Sequence, residues 1–288
     1  MHSSIRWSQI LRTFSLSSVL AAVGCGGTAD TESVETTSSP LVITNCTGSA
    51  ISAAVLAGGE VDLSCGTNPP PIQMTYTPVT RNTVLKALST GITFLPTTAL
   101  FDVSPNVSFE VDGITFLGFN TVNMPVHGVS STITLNNDAF TNFSSFVVGV
   151  HENSTLNVNG CTFANNGSQS LTFAGSIYLE GSVGNVTNST FQGDWSAQDG
   201  GAIVDFGNLT VTGSKFISNR AQVGGAIYAN LAGAHLMVKA SSFTNNVATQ
   251  PGGGGAILFE GSTQALVQGS TFSGNSNPAV VGNVLVVP

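Results

Sequence analysis

Seven segments of the chain align on one phenylalanine, at Phe116, Phe140, Phe163, Phe191, Phe216, Phe243 and Phe272, spaced 24, 23, 28, 25, 27 and 29 residues apart. Five residues before each anchor stands an aliphatic side chain: Val111, Leu135, Val158, Val186, Val211, Val238 and Val267. Seven before it come Phe109, Ile133, Leu156, Gly184, Leu209, Leu236 and Ala265, and the positions between are mainly polar. This is period-two alternation carried on a period of about 25 residues. A unit that short cannot bury its own apolar face, so the units must stack. The pattern predicts a parallel β-solenoid.

Superposed coils place equal offsets about 4.8 Å apart, so the phenylalanines are expected to form an internal aromatic column. Two residues before each anchor runs a second inward column: Ile114, Asp138, Cys161, Ser189, Ser214, Ser241 and Ser270. Three after it, the later coils carry Asn166, Asp194, Asn219, Asn246 and Asn275. Asparagine tolerates left-handed backbone and bonds its own turn, so this column reads as a ladder at a corner between strands.

A second signature recurs in register. Gly200-Gly201-Ala202-Ile203, Gly224-Gly225-Ala226-Ile227 and Gly254-Gly255-Ala256-Ile257 are expected to open a strand on the next face, with Ala174-Gly175-Ser176-Ile177 as a degenerate copy. Paired glycines allow a bend without a Cβ clash. With the Phe-x-x-Asn segments Phe163 to Asn166, Phe216 to Asn219, Phe243 to Asn246 and Phe272 to Asn275, the chain resembles the polymorphic outer membrane proteins of chlamydiae. The resemblance covers about 160–288 well and 100–160 loosely. It implies an all-β, right-handed parallel β-helix of the pectin-lyase-like kind, and it is specific for the fold rather than for an activity. Those proteins end in a membrane β-barrel. Here the repeats run into Val284-Leu285-Val286-Val287-Pro288, too short for barrel strands, so another route of export is expected and the tail reads as a last rung.

The N-terminus has the form of a secretory signal over 1–24. Arg6 and Arg12 precede a short apolar stretch that ends at Gly24-Cys25. Ala22-Val23-Gly24-Cys25 resembles a bacterial lipobox, with Ala22 where leucine is usual; the resemblance implies lipidation of Cys25 and an outer-membrane lipoprotein. Ordinary cleavage nearby, giving a periplasmic or secreted protein, is the competing reading. Residues 25–41 are polar and suit a flexible tether. Residues 42–66 read as a cap: an Ala-rich helix ending at Gly58-Gly59, pinned by a Cys46–Cys65 disulfide in an oxidising compartment. A zinc site competes for these cysteines, but the spacing is wrong and no histidine lies near. Residues 67–288 are then the β-helix repeats, opening with an irregular coil over 67–100 whose strand is Ile92 to Phe94. Cys161 reads as a small buried hydrophobe.

Charge narrows the partners. Removing 1–24 takes two of the seven Lys+Arg and none of the fifteen Asp+Glu, leaving a net −10. Five scattered cations cannot build a nucleic-acid track. The fold also hosts pectate lyases and polygalacturonases, but their motifs are missing; Val126-His127-Gly128-Val129 is the nearest fragment. For catalysis the candidates are Glu152, Glu180 and Asp205, which follow local glycines by three to five residues and are expected near one edge of the stack. His151 would lie beside them, with Asp194 and Asp199 in the adjoining loop. Acid–base work needs two carboxylates about 5–9 Å apart; calcium would need several converging oxygens and is expected only if the chain is an enzyme. The simpler reading is that these acids end strands at solvated corners. Trp195, in an outward loop, is the candidate for stacking on a sugar. No cofactor or metal is expected otherwise. The favoured function is a non-catalytic, adhesin-like surface protein with a glycan or surface protein as ligand. A polysaccharide lyase or hydrolase and a passive spacer lipoprotein are the alternatives.

Overall fold

A computed structural model describes residues 39–119, 124–169, 175–230 and 235–288. The signal, the lipobox cysteine Cys25 and most of the tether lie outside the described residues. Residues 39–288 form one unit, a parallel β-solenoid. Each regular coil lays down three strands on three faces. Face I holds, among others, Phe101–Val103, Val126–Val129, Val148–His151, Ile227–Ala229 and Ile257–Phe259. Face II holds Ser108–Asp112, Thr132–Asn136, Thr155–Asn159 and His235–Lys239. Ile177–Thr187 and Ile203–Thr212 run through both, so the two faces form one 18-stranded sheet. Face III is a separate nine-stranded sheet from Ile72–Met74 to Thr271–Ser273. A short fourth sheet, Gly167–Ser168, Trp195–Ser196, Arg220–Ala221 and Val247–Ala248, fills one corner.

Every phenylalanine of the repeat sits in register on face III. From Phe116 to Phe272 consecutive rings stack with centroids 4.6, 5.1, 4.7, 4.9, 4.7 and 5.0 Å apart and within 9° of parallel. Each buried ring contributes about 1.5–3 kcal/mol by area alone. The aliphatic column five residues earlier is likewise buried on face II. The opening coil is more regular than its prolines suggest. Phe94, in Thr93–Pro96, pairs with Phe116 on one side and Ile72 on the other, so the column starts two rungs earlier and 67–100 is in register. Pro71 precedes the first residue of Ile72–Met74, a place that a sheet tolerates.

The helix Gly48–Ala57 buries Ile51, Ala54 and Val55 at the start of the solenoid. The Thr47 hydroxyl caps it by accepting from the Ala50 amide, and Gly58, at φ 77°, closes it with its N–H shared between the Ala54 and Val55 carbonyls. Cys46 and Cys65 are disulfide-bonded, their Cα atoms 5.6 Å apart. Gly59–Leu63 is already a rung of face II, paired with Thr83–Ala87. At the other end, Val284–Val287 pairs with Ala265–Gln268 as a further rung.

Candidate functional site

The repeat residues face inward and hold the stack together. In the serine column the amides of Cys161, Ser189, Ser214 and Ser241 each donate to the hydroxyl of the next coil, at 3.1 Å. In the asparagine column the amides of Phe143, Asn166, Asp194, Asn219 and Asn246 donate to the side-chain oxygen of Asn166, Asp194, Asn219, Asn246 and Asn275. The side-chain amides of Asn166, Asn219, Asn246 and Asn275 donate back to the carbonyls of Phe140, Phe191, Phe216 and Phe243. Left-handed backbone is not the role of these asparagines. It belongs to the residue before each of them: Asn165, Gly193, Ser218, Asn245 and Gly274. The ladder asparagines are there for their amides.

Gly201, Gly225 and Gly255 permit the adjoining corner. A Cβ on each would lie 2.2, 2.1 and 2.0 Å from the carbonyl oxygens of Gly225, Gly255 and Ser276, so coils could not approach this closely with any side chain. Their partners Gly200, Gly224 and Gly254 take positive φ, and Ile203, Ile227 and Ile257 then open the face I strands.

Three aspartates interrupt this frame. Asp138 in the serine column, Asp194 in the asparagine column and Asp205 on face I are at most 1% exposed. In each, one carboxyl oxygen accepts a backbone amide, from Ile114, Asn166 and Gly207 respectively. The other oxygen has no partner. Burial pushes Asp138 and Asp194 up to about 8, so both are held largely as neutral acids near pH 7, and pushes Asp205 up to about 7, where its neutral and charged forms are comparably populated. Asp194 is thus a ladder member rather than a loop residue.

The four candidate acids do not assemble as one set, although Glu152 and Glu180 are neighbours on adjacent rungs, the Glu152 amide donating to the Glu180 carbonyl. His151, Glu180 and Phe206 share one register position on face I, and Val150, Leu179 and Asp205 share the one before it. Neighbouring positions on a strand face opposite ways. Glu180 therefore points outward and Asp205 into the solenoid, and they cannot act on one substrate. Counting from the strand-opening isoleucines would have shown this: Glu180 is three residues after Ile177, Asp205 two after Ile203. Glu152 is exposed, one residue beyond His151, in left-handed backbone at φ 52°. Asp199 lies in a separate bridge with Val223. Trp195 is in the short fourth sheet rather than a loop, with the Arg220 guanidinium 5.0 Å from its ring centroid. It borders a shallow, open depression with Asn165, Ser168 and Gln169.

What does gather on the outside of face I is a run of rings and acids. His127 Nδ1 is 2.7 Å from Asp102, His151 Nδ1 is 2.9 Å from Glu180, and the two imidazole centroids are 5.2 Å apart. Tyr76 donates to the second oxygen of Asp102. The hydrogen bond from His127 holds the Asp102 carboxyl below its usual range. Beyond His151 follow Tyr178, Phe206 and Tyr228, each within 6.0 Å of its neighbour, and Tyr228 donates to Glu260. The histidines are separated by 24 residues and occupy different outward columns, so no motif announces the pair. Among the described residues no three His, Cys, Asp or Glu converge on a point that could hold a metal.

The fold and this surface define a parallel β-solenoid whose apolar core is flanked by two polar ladders. No known protein family, curated protein or solved structure matches the chain.

Proposed function

We propose that the chain is an exported, outer-membrane-anchored surface protein with a non-catalytic, adhesin-like binding role, built on a right-handed β-helix of the pectin-lyase-like kind with repeats similar to those of polymorphic outer membrane proteins. The observation that carries this reading is the opposed orientation of Glu180 and Asp205, which separates two of the carboxylates that the sequence offered for glycan cleavage and leaves Glu152 and Glu180 as the remaining neighbours. The Phe, Ser and Asn columns are accounted for by stacking and hydrogen bonds within the solenoid. Contact with a partner then falls to the outward residues, and the half-buried Trp195 beside its depression and the rings of face I are surfaces on which a sugar or a protein side chain can rest. Export supports the Cys46–Cys65 disulfide, and lipidation of Cys25 would leave 26–38 as the tether, since Leu41 already pairs with Val61.

The test incubates the purified protein with plant, bacterial and host polysaccharides, with and without Ca²⁺. Mass spectrometry reads chain shortening, and pulldown reads retention in the same samples. Retention without shortening is expected. Shortening of any polymer refutes the reading and returns attention to Glu152 and Glu180. Metabolic labelling with a fatty acid, lost in Cys25→Ser, tests the anchor.

A further inference from the structure

The outward face of the coils holding His127 and His151 carries an arrangement that the solenoid does not need. The two residues are on adjacent rungs, since Val126–Val129 pairs with Val148–His151. Each imidazole is bonded through Nδ1 to a carboxylate, and the carboxylates lie on the outer sides of the pair. Asp102 is on the rung before His127, and Glu180 is on the rung after His151. A proton on Nδ1 bonded to the acid leaves Nε2 as the nitrogen that carries a lone pair when a metal binds. Nε2 of each ring makes no part of these carboxylate contacts and is the nitrogen left to bind a ligand. A carboxylate on the far nitrogen is the arrangement that fixes the tautomer of metal-binding histidines and raises their basicity.

The spacing fits an ion. With metal–nitrogen bonds of about 2.0–2.1 Å, two imidazoles on one tetrahedral centre have ring centroids about 5.2 Å apart. The centroids of His127 and His151 are 5.2 Å apart, with planes inclined by 55°. The side chains are 25% and 24% exposed, open enough to load and shielded enough to hold. Between them in the outward columns stands Gly149, in register with His127 and two residues before His151. The space that its missing side chain leaves is taken by the Met124 sulfur, 2.8 Å from where a Cβ would be, with the Phe146 ring 3.0 Å from the same point. A third donor of the His, Cys, Asp or Glu type does not converge here among the described residues, which leaves the thioether as the protein donor at hand.

We propose that His127, His151 and Met124 form a copper site on the outer surface of face I, with Asp102 and Glu180 as the residues that orient the imidazoles. Imidazole nitrogen binds Cu(II) more tightly than the other first-row divalent ions, and a thioether selects Cu(I), so this donor set favours copper over zinc, calcium or magnesium. The two outer carboxylates also supply negative charge against the cation.

The test uses the full chain carrying His2→Ala and His235→Ala, which leaves His127 and His151 as the only histidines of the four. Titration with Cu(II), Cu(I) under reductant with a chromophoric competitor, and Zn(II) is expected to give one copper per chain, bound more tightly than zinc. His127→Ala and His151→Ala should each weaken copper about 100-fold, and Asp102→Asn or Glu180→Gln about 10-fold or more, as removal of an orienting partner does. Met124→Leu should weaken Cu(I) about 10-fold while changing Cu(II) by about twofold or less, as a soft donor predicts. Far-UV circular dichroism establishes that each variant retains the β-solenoid. Copper binding unchanged in both histidine variants, or no binding in the parent at 100-fold excess copper, overturns the proposal. Tighter zinc than copper overturns the assignment of the metal, and a Met124→Leu variant indistinguishable from its parent for Cu(I) removes the thioether from it.

Discussion

Asp194→Asn should stabilise the protein at neutral pH and leave it nearly unchanged in acid. Asp194 occupies a place that asparagine fills in the coils on either side, at Asn166 and Asn219. Each of those donates a side-chain N–H to a phenylalanine carbonyl, whereas the second oxygen of Asp194 has no partner. Burial raises the carboxyl from 3.8 to about 8, against the hydrogen bond from the Asn166 amide, which pulls the other way. The folded state therefore keeps a proton that the unfolded chain has released between those two values. Stability is then greatest at the acid side of that window, falls as pH rises through it, and is level above pH 8. At 1.36 kcal/mol per unit, keeping the acid neutral at pH 7 costs about 4 kcal/mol. The asparagine amide has no such proton to lose and can donate to the Phe163 carbonyl as its neighbours do to theirs. We expect the variant to gain about 2–4 kcal/mol at pH 7 after local relaxation, and to lie within about 1 kcal/mol of the parent at pH 4. Urea unfolding at half-unit intervals from pH 4 to 8 measures this as a smaller fall of stability with pH, by about 1.4 kcal/mol per unit. A variant that is weaker at pH 7, or that keeps the parent's dependence on pH, refutes the neutral acid.

Three other outcomes follow from the same frame. Phe191→Ala removes the middle ring of the stacked column and should cost about 3–5 kcal/mol by chemical denaturation, against about 1 kcal/mol or less for the exposed Phe119→Ala. Gly225→Ala drives a Cβ to 2.1 Å from the Gly255 carbonyl and should sharply lower the thermal midpoint. Gly181→Ala meets open space at φ 57° and should cost about 1 kcal/mol, so equal effects would contradict the packing account. Reduction of Cys46–Cys65, whose partners are 19 residues apart, should lower stability by about 3 kcal/mol, read as the difference between oxidised and reduced urea curves.

The architecture was legible because solenoid columns repeat: seven phenylalanines at one offset specify register without any knowledge of the turns. The Gly-Gly-Ala-Ile segments were legible for the same reason. The opening coil was not, because Ile72 stands in the column where later coils have phenylalanine, and Pro69, Pro70 and Pro71 read as a break although they only lead into a strand. The acid cluster failed on a question of parity. Offsets counted from glycines at a corner drift by a residue, five from Gly175 to Glu180 and four from Gly201 to Asp205, so residues that look alike in the sequence emerge on opposite sides of the sheet. The histidine pair escaped because its two members stand in different outward columns, and only adjacent rungs bring them together.

The two polar columns also run in one direction. A corner amide in each coil donates to a side chain of the coil that follows, from Phe143 through Asn246 in one column and from Cys161 through Ser241 in the other. A coil is therefore an unfinished surface until its successor arrives, and each arrival both completes the one before and sets out the same demand again. The same demand is thereby handed on from Phe143 to Asn275 in one column and from Cys161 to Ser270 in the other. Length becomes a matter of how many times the step is repeated: a whole coil can be added or removed with the sequence of handovers intact, while a fraction of one leaves two coils that no longer recognise each other.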